Sequence, residues 1–184
     1  MNRFFQSVAA SIAAIAITTH ATDFTLTSPS IQTAAPFPTA HVLNGFGCEG
    51  GNRSPALMWH NVPADTKSLA LTMYDPDAPT GSGWWHWILY NIPVTVKGLP
   101  ENAGSADGKH LPLGSSQGRT DFGTHGYGGA CPPAGNRPHR YIFTVHALTI
   151  DHIAPPVDAS AAMIGYLIHS SRTASASLQT TFSR

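Results

Sequence analysis

The chain has 184 residues, with ten Lys and Arg balanced by ten Asp and Glu, and only 11% of its residues are charged. That composition leaves no basic footprint for nucleic acid and no Lys/Arg run for an anionic membrane surface. Apolar residues make up 42%, enough for a folded domain with a sizeable core.

The first segment reads as an export signal. Arg3 supplies the positive start, Phe4 to Ile17 is a short apolar run, and Thr19-His20-Ala21 places small residues where a signal peptidase reads. The run is roughly 14 residues long, short of the about 20 needed to span a bilayer. The sequence therefore predicts a signal peptide over 1–21 and one mature domain over 22–184, periplasmic or secreted, with no transmembrane segment. Two cysteines, Cys48 and Cys131, lie in Gly-rich stretches. An even count in an oxidising compartment favours a disulfide over two free thiols. On the chain-entropy view, closing so long a loop contributes at most roughly 4 to 5 kcal/mol.

Strand signals dominate the mature chain. Short candidates are Phe24 to Thr27, His41 to Leu43 and Ala56 to His60. Lys67 to Asp75 alternates, with Leu69, Leu71, Met73 and Asp75 on one face. His86 to Ile92 is rich in aromatic and β-branched residues and stops at Pro93. Tyr141, Phe143, Val145 and Ala147 mark another alternating face, and Ala174 to Phe182 a last one. Asp158 is a candidate N-cap for one helix carrying Ala161, Ile164, Leu167 and Ile168. Pro/Gly/Ser-rich loops separate these elements. The longest, Glu101 to Pro138, is too long to lack structure in a compact domain. The pattern predicts a mainly β fold, an antiparallel sandwich with a helix near the C-terminus.

Two segments concentrate polar groups where a strand meets a loop. The first is Asp75-Pro76-Asp77-Ala78-Pro79 running on to Trp84-Trp85-His86-Trp87. The second is Gly126 to Pro133, leading to His139-Arg140-Tyr141. Asp75 ends a strand in its apolar register, where a carboxylate is costly unless hydrogen-bonded or set at a cleft. Asp77 fits the plainer role of steadying an Asp-Pro turn. A histidine such as His86 among indoles is often only a satisfied core residue, but indoles also build rigid pocket walls. His139 and Tyr141 share a strand face, and backbone amides around Ala130, Cys131, Pro132 and Pro133 are candidates to line an anion site.

Competing motifs fail. Gly45 to Gly50 matches G-x-G-x-x-G as a string, but Asn52-Arg53-Ser54-Pro55 follows where a helix should run. There is no nucleophile elbow, zincin motif, C-x-x-C or P-loop. Ten histidines do not pair at metal-ligand spacing, so an Asp75/His86/His139 metal centre ranks low, and neither metal nor cofactor is expected. Asp, His and Tyr can serve acid–base chemistry, but no credible nucleophile accompanies them.

These segments resemble the two signature segments of the phosphatidylethanolamine-binding protein family, in its bacterial Raf-kinase-inhibitor-like branch. The resemblance runs from about Phe24 to Phe182. It implies a Greek-key β-sandwich with a small anion-binding pocket lined by Asp75, His86, His139 and Tyr141 and capped by the backbone of Ala130 through Pro133. Cys131 departs from the pattern, since many members carry Gly there. The reading that follows is an exported, non-catalytic binding protein for a phosphate-bearing or similar anionic ligand. The alternatives are a protein-interaction module that inhibits a protease or other enzyme, and a weak hydrolase-like enzyme. Related bacterial proteins form dimers, so a homodimer is a further expectation.

Overall fold

The computed structural model describes residues 23–33 and 35–184. The signal-peptide reading of 1–21 lies outside the described residues. The elements in order are β1 (Thr25–Thr27), a single 3-10 turn (Thr39–His41), β2 (Asn44–Gly45), β3 (Cys48–Glu49), β4 (Leu57–His60), β5 (Ser68–Asp75), β6 (Trp84–Pro93), β7 (Gly98–Leu99), β8 (Ser116–Gln117), β9 (His139–Leu148), α1 (Ala161–Ser171) and β10 (Arg172–Phe182).

The sandwich has one large sheet in the order β10-β9-β5-β6-β8 and a small one in the order β1-β4-β7, all pairs antiparallel. Within the large sheet β9 returns beside β5 after β6 and β8, the spatial order of a Greek key. Leu26, Leu57, Trp59 and Leu99 of the small sheet pack against Leu69, Leu71, Met73, Trp87, Leu89, Phe143 and Val145 of the large one. The other face of the large sheet meets α1, where Ala70, Ile88 and Leu148 pack on Ala161, Ile164 and Ile168. β5 is therefore covered on both sides, and only Tyr74 of its eight residues escapes full burial. Burying several such aliphatic side chains contributes roughly 1.5 to 3 kcal/mol each before chain entropy is subtracted. Among the described residues, no helix is long and apolar enough to cross a membrane.

Two local expectations are corrected. His41 to Leu43 does not form a strand: Thr39–His41 is a 3-10 turn, and Val42 makes an isolated parallel bridge to Ala130. Pro36 and Pro38 just upstream carry no N–H for a ladder. Asp158 is not the helix N-cap. Ser160 takes that place, its hydroxyl accepting from the Met163 amide. Asp158 sits instead at φ +59° inside a turn in which the Ala159 amide donates to Pro156. A short polar side chain tolerates that left-handed position, which takes Asp158 out of reach of the helix.

The Gly45 to Gly50 stretch is a hairpin, β2 to β3, with Phe46 at φ 52° and Gly47 at φ 81° at its tip. Two consecutive positive φ values mark the tight turn whose twist suits antiparallel strands. The long segment from Glu101 to Pro138 holds β8 and a chain of hydrogen-bonded turns.

Candidate functional site

In an antiparallel sheet, the strands flanking β5 begin where β5 ends. Asp75 is the last residue of β5, His86 the third of β6 and His139 the first of β9, so topology alone gathers them at one end of the large sheet. A bulge refines the placement of His86. Met73 pairs with Trp87 and Tyr74 with Trp85, which leaves His86 without an opposite residue. An inserted residue of this kind re-aims a side chain, and here it changes which residues share a face. Trp87 packs in the sandwich core while Trp85 packs on the helix side.

The three side chains meet at a cavity of about 220 Å³. Asp75, His86 and His139 are 2%, 3% and 2% exposed, so each polar group there must be satisfied or facing the cavity. Asp75 Oδ1 accepts from the Asp77 amide at 2.8 Å, and Oδ2 accepts from His139 Nδ1 at 2.7 Å. The other nitrogen of His139 lies 3.3 Å from the Asn136 side-chain amide. His86 Nδ1 lies 2.9 Å from the Gly128 carbonyl and 3.1 Å from that of Gly129. Both are acceptors, so Nδ1 carries the proton. Burial lowers the pKa of His86, and the two carbonyls and Asp75 only partly oppose this. The ring is then neutral, and its Nε2 presents a lone pair.

Glycine makes the carbonyl contacts possible. A Cβ on Gly128 would enter the Phe122 ring, and one on Gly129 would strike the backbone of His41 and Leu43. Phe122, carried by the long loop, stands edge-on to Trp84 and to His86, each at 5.3 Å between ring centres. It also leans on Phe46 of the hairpin tip. The wall is completed by Leu43, Ala78, Pro79 and Thr80 and by Cys131, Pro132 and Pro133.

Two cross-links hold the hairpin to the Cys131–Pro133 wall. Cys48 and Cys131 form a disulfide with their Cα atoms 6.0 Å apart. Arg184 donates to the carbonyls of Pro132 and Gly47, both at 2.7 Å, and to that of Phe46 at 3.3 Å.

Of the residues singled out from sequence, Asp75, His86, Cys131, Pro132, Pro133 and His139 line the cavity. Ala130 and Tyr141 are not among the residues that line it. Ala130 is fully buried behind it, its carbonyl accepting from the Leu43 amide. Tyr141 is also fully buried, stacked 5.9 Å from Phe37 and edge-on to His86. Its hydroxyl lies beside the Cys131 amide without completing a hydrogen bond, and burial raises its pKa. The amide cap is also thinner than expected, because Pro132 and Pro133 have no N–H to offer.

Sequence reasoning missed Phe46, Leu43, Thr80 and Phe122 as wall residues. Phe122 is a single aromatic in a long loop with no periodicity to flag it. For Phe46 there was a signal: a bulky residue between two glycines at a turn position that demands positive φ. His139 Nδ1 donates to Asp75 Oδ2, so these two groups engage each other. Among the described residues no group of three or more His, Cys, Asp and Glu is placed to hold a metal ion.

Comparison with known proteins adds an independent line. The family profile for phosphatidylethanolamine-binding protein matches residues 27–183. The YbcL protein of Escherichia coli is 52% identical over 167 residues, covering 91% of this chain and 91% of its own length. The YbhB protein of the same organism is 51% identical, covering 86% of this chain and 99% of its own. The crystal structure of YbcL, described as a new member of the mammalian PEBP family, superposes with a TM-score of 0.86 over 89% of this chain and 99% of that one. The homolog CT736 of Chlamydia trachomatis is 28% identical, with a TM-score of 0.70 over 88% of this chain and 97% of its own.

Proposed function

The chain belongs to the phosphatidylethanolamine-binding protein family, and from that premise we propose that it is an exported, non-catalytic protein whose cavity binds a small phosphate-bearing or similar anionic ligand. The observation that carries the reading is the cavity at the strand ends, where buried Asp75, His86 and His139 meet under a rigid apolar rim. Small-ligand sites have this character: mostly apolar walls with a few fixed polar groups that orient the guest. At about 220 Å³ the cavity suits a head group more than a large metabolite.

The non-catalytic part rests on what the wall lacks. Thr80, the one hydroxyl among the described residues on it, donates to the Gly83 carbonyl, and Cys131 is oxidised. Among the described residues on the wall there is no free serine, thiol or lysine paired with a base, the arrangement by which most covalent catalysts activate their nucleophile. The exported part rests on the Cys48–Cys131 disulfide together with the leader pattern, since such bonds persist in oxidising compartments.

Titration of the folded protein with inorganic phosphate, followed by the imidazole NMR signals, tests the reading. Saturable shifts at His86 and His139, with no turnover of p-nitrophenyl phosphate, are expected. Phosphate that moves neither ring at millimolar concentration would remove the anion reading, and turnover abolished in His86→Ala would remove the non-catalytic one.

A further inference from the structure

The hydrogen-bond polarity of the cavity is unusual for an anion site. Among the described residues that line it, none is Lys or Arg. Both oxygens of Asp75 act as acceptors, and His86 offers a lone pair at Nε2 because Nδ1–H is held by two glycine carbonyls. Both nitrogens of His139 are engaged within the protein, by Asp75 and Asn136. The Thr80 hydroxyl donates to the Gly83 carbonyl, and two of the three residues in the Cys131–Pro133 wall have no N–H. The remaining side-chain donor on the wall is the indole of Trp84, whose Nε1 is buried without a partner.

A guest that fits must therefore supply a donor as well as accept one. An oxyanion oxygen without a proton, set against Asp75, would face lone pairs and a like charge in a poorly hydrated site. An oxyanion bearing a P–OH group reverses that: its proton lies between its own oxygen and a carboxylate oxygen, in the short charge-assisted class of bond. Resting on the proposed anion-binding function, we infer that the cavity selects phospho-oxyanions that carry their own proton, phosphate monoesters or free phosphate as monoanions, and rejects sulfate and phosphodiesters, with Asp75 as the residue that sets this specificity.

The charges around Asp75 do not undo the argument. Arg140 and Arg137 are both engaged by Asp77, and Asp121 accepts from the Trp85 amide. Tyr74 and Tyr141 stay phenols, their pKa values raised chiefly by burial. Among the described residues on the cavity side, the groups able to bring a positive charge to Asp75 are His139, hydrogen-bonded to it at 2.7 Å, and His86, whose charging burial opposes. With both rings neutral, Asp75 needs the proton of the guest.

The test is calorimetric binding of methyl phosphate, inorganic phosphate, dimethyl phosphate and sulfate to the full mature protein. Near pH 6, methyl phosphate or inorganic phosphate should bind at least about tenfold more tightly than dimethyl phosphate or sulfate, the effect of one hydrogen bond to a charged group. Whichever of the first two binds more tightly separates an esterified ligand from free phosphate. Affinity should fall as pH rises from about 6 to 8, because the second ionisation of a phosphate monoester lies near 6. Asp75→Asn, which turns an acceptor into a donor, should raise sulfate affinity and collapse the ratio. Should that variant misfold, the wild-type ratio and its pH dependence still decide. Equal wild-type affinity for sulfate and methyl phosphate overturns the inference and leaves the anion pocket standing. No binding of any of the four overturns both.

Discussion

Arg140 wraps Asp77 from three sides. Its backbone amide and Nε donate to Oδ2 at 2.9 and 2.8 Å, and a terminal guanidinium nitrogen donates to Oδ1 at 3.0 Å. Arg137 adds a fourth contact at 3.1 Å. The carboxylate is 5% exposed although both arginines reach solvent. Asp75 and Asp77, two residues apart, thus divide the labour. The first faces His139 inside the cavity, and the second ties the β5–β6 loop to the start of β9 outside it.

Asp77→Ala should therefore loosen the cavity from behind without removing any residue that lines it. Arg140 is about half exposed, which discounts the pair, and a loss of about 1 to 2 kcal/mol in a urea titration is expected. The Asp77–Arg140 bonds hold the carboxyl down to about 2. Since the folded pKa lies below the unfolded one, this contribution is complete above about pH 4 and is lost as pH falls towards 2. A variant as stable as wild type at neutral pH would show the pair to be ornamental.

Arg184 should matter for rigidity more than for global stability. It fastens the hairpin tip to the Pro132 carbonyl, and Phe46 at that tip is 75% exposed with a strained φ of 52°. Arg184→Ala should speed amide hydrogen exchange across 44–49 while β5 and β9 stay protected. Unchanged exchange there would mean that the disulfide alone positions the hairpin.

Much of this architecture is legible in the sequence because burial writes a period into it. Leu69, Leu71 and Met73 alternate with Asp75 in step, and Tyr141 to Ala147 do the same, so the two central strands and the inward aim of Asp75 follow from pattern. The His86 bulge does not follow, since an inserted residue leaves the aromatic run looking regular. Asp158 and Ser160 are equally good caps as residue types, and only the turn beginning at Pro156 separates them. Tyr141 stacks on Phe37, a contact about a hundred residues distant in sequence that no local pattern encodes.

Reducing the Cys48–Cys131 bond should destabilise the folded protein by at most roughly 4 to 5 kcal/mol, the loop-entropy value for so long a closure. The cross-link spans 83 residues and joins the hairpin to the cavity wall. Because Arg184 bridges the same two loops, reduction should weaken phosphate binding more in Arg184→Ala than in wild type, a non-additivity expected of shared supports. Equal effects in the two backgrounds would show that the links act on separate motions.

The sharpest acid sensitivity should come from a histidine far from the cavity. His146 lies on the helix side of β9, 7% exposed, with Nε2 at 3.0 Å from the Thr72 hydroxyl and Nδ1 buried without a partner. Burial lowers its pKa to about 3, and the positive fields of Arg172 and His169 push the same way. The folded protein therefore resists protonation at a site where the unfolded chain takes a proton near pH 6.5. Whenever the unfolded state binds more protons, stability rises with pH. His146 should thus cost nothing above about pH 7 and cost progressively more as pH falls from 6.5 towards 3, at roughly 1.4 kcal/mol per pH unit. His86, also lowered by burial, adds to the slope in the same window. His146→Gln keeps a polar atom near Thr72 and removes the titration. Its melting temperature should drop less than that of wild type between about pH 7 and 5, even if it starts lower. Parallel profiles for the two proteins would show that His146 takes up its proton in the folded state without resistance.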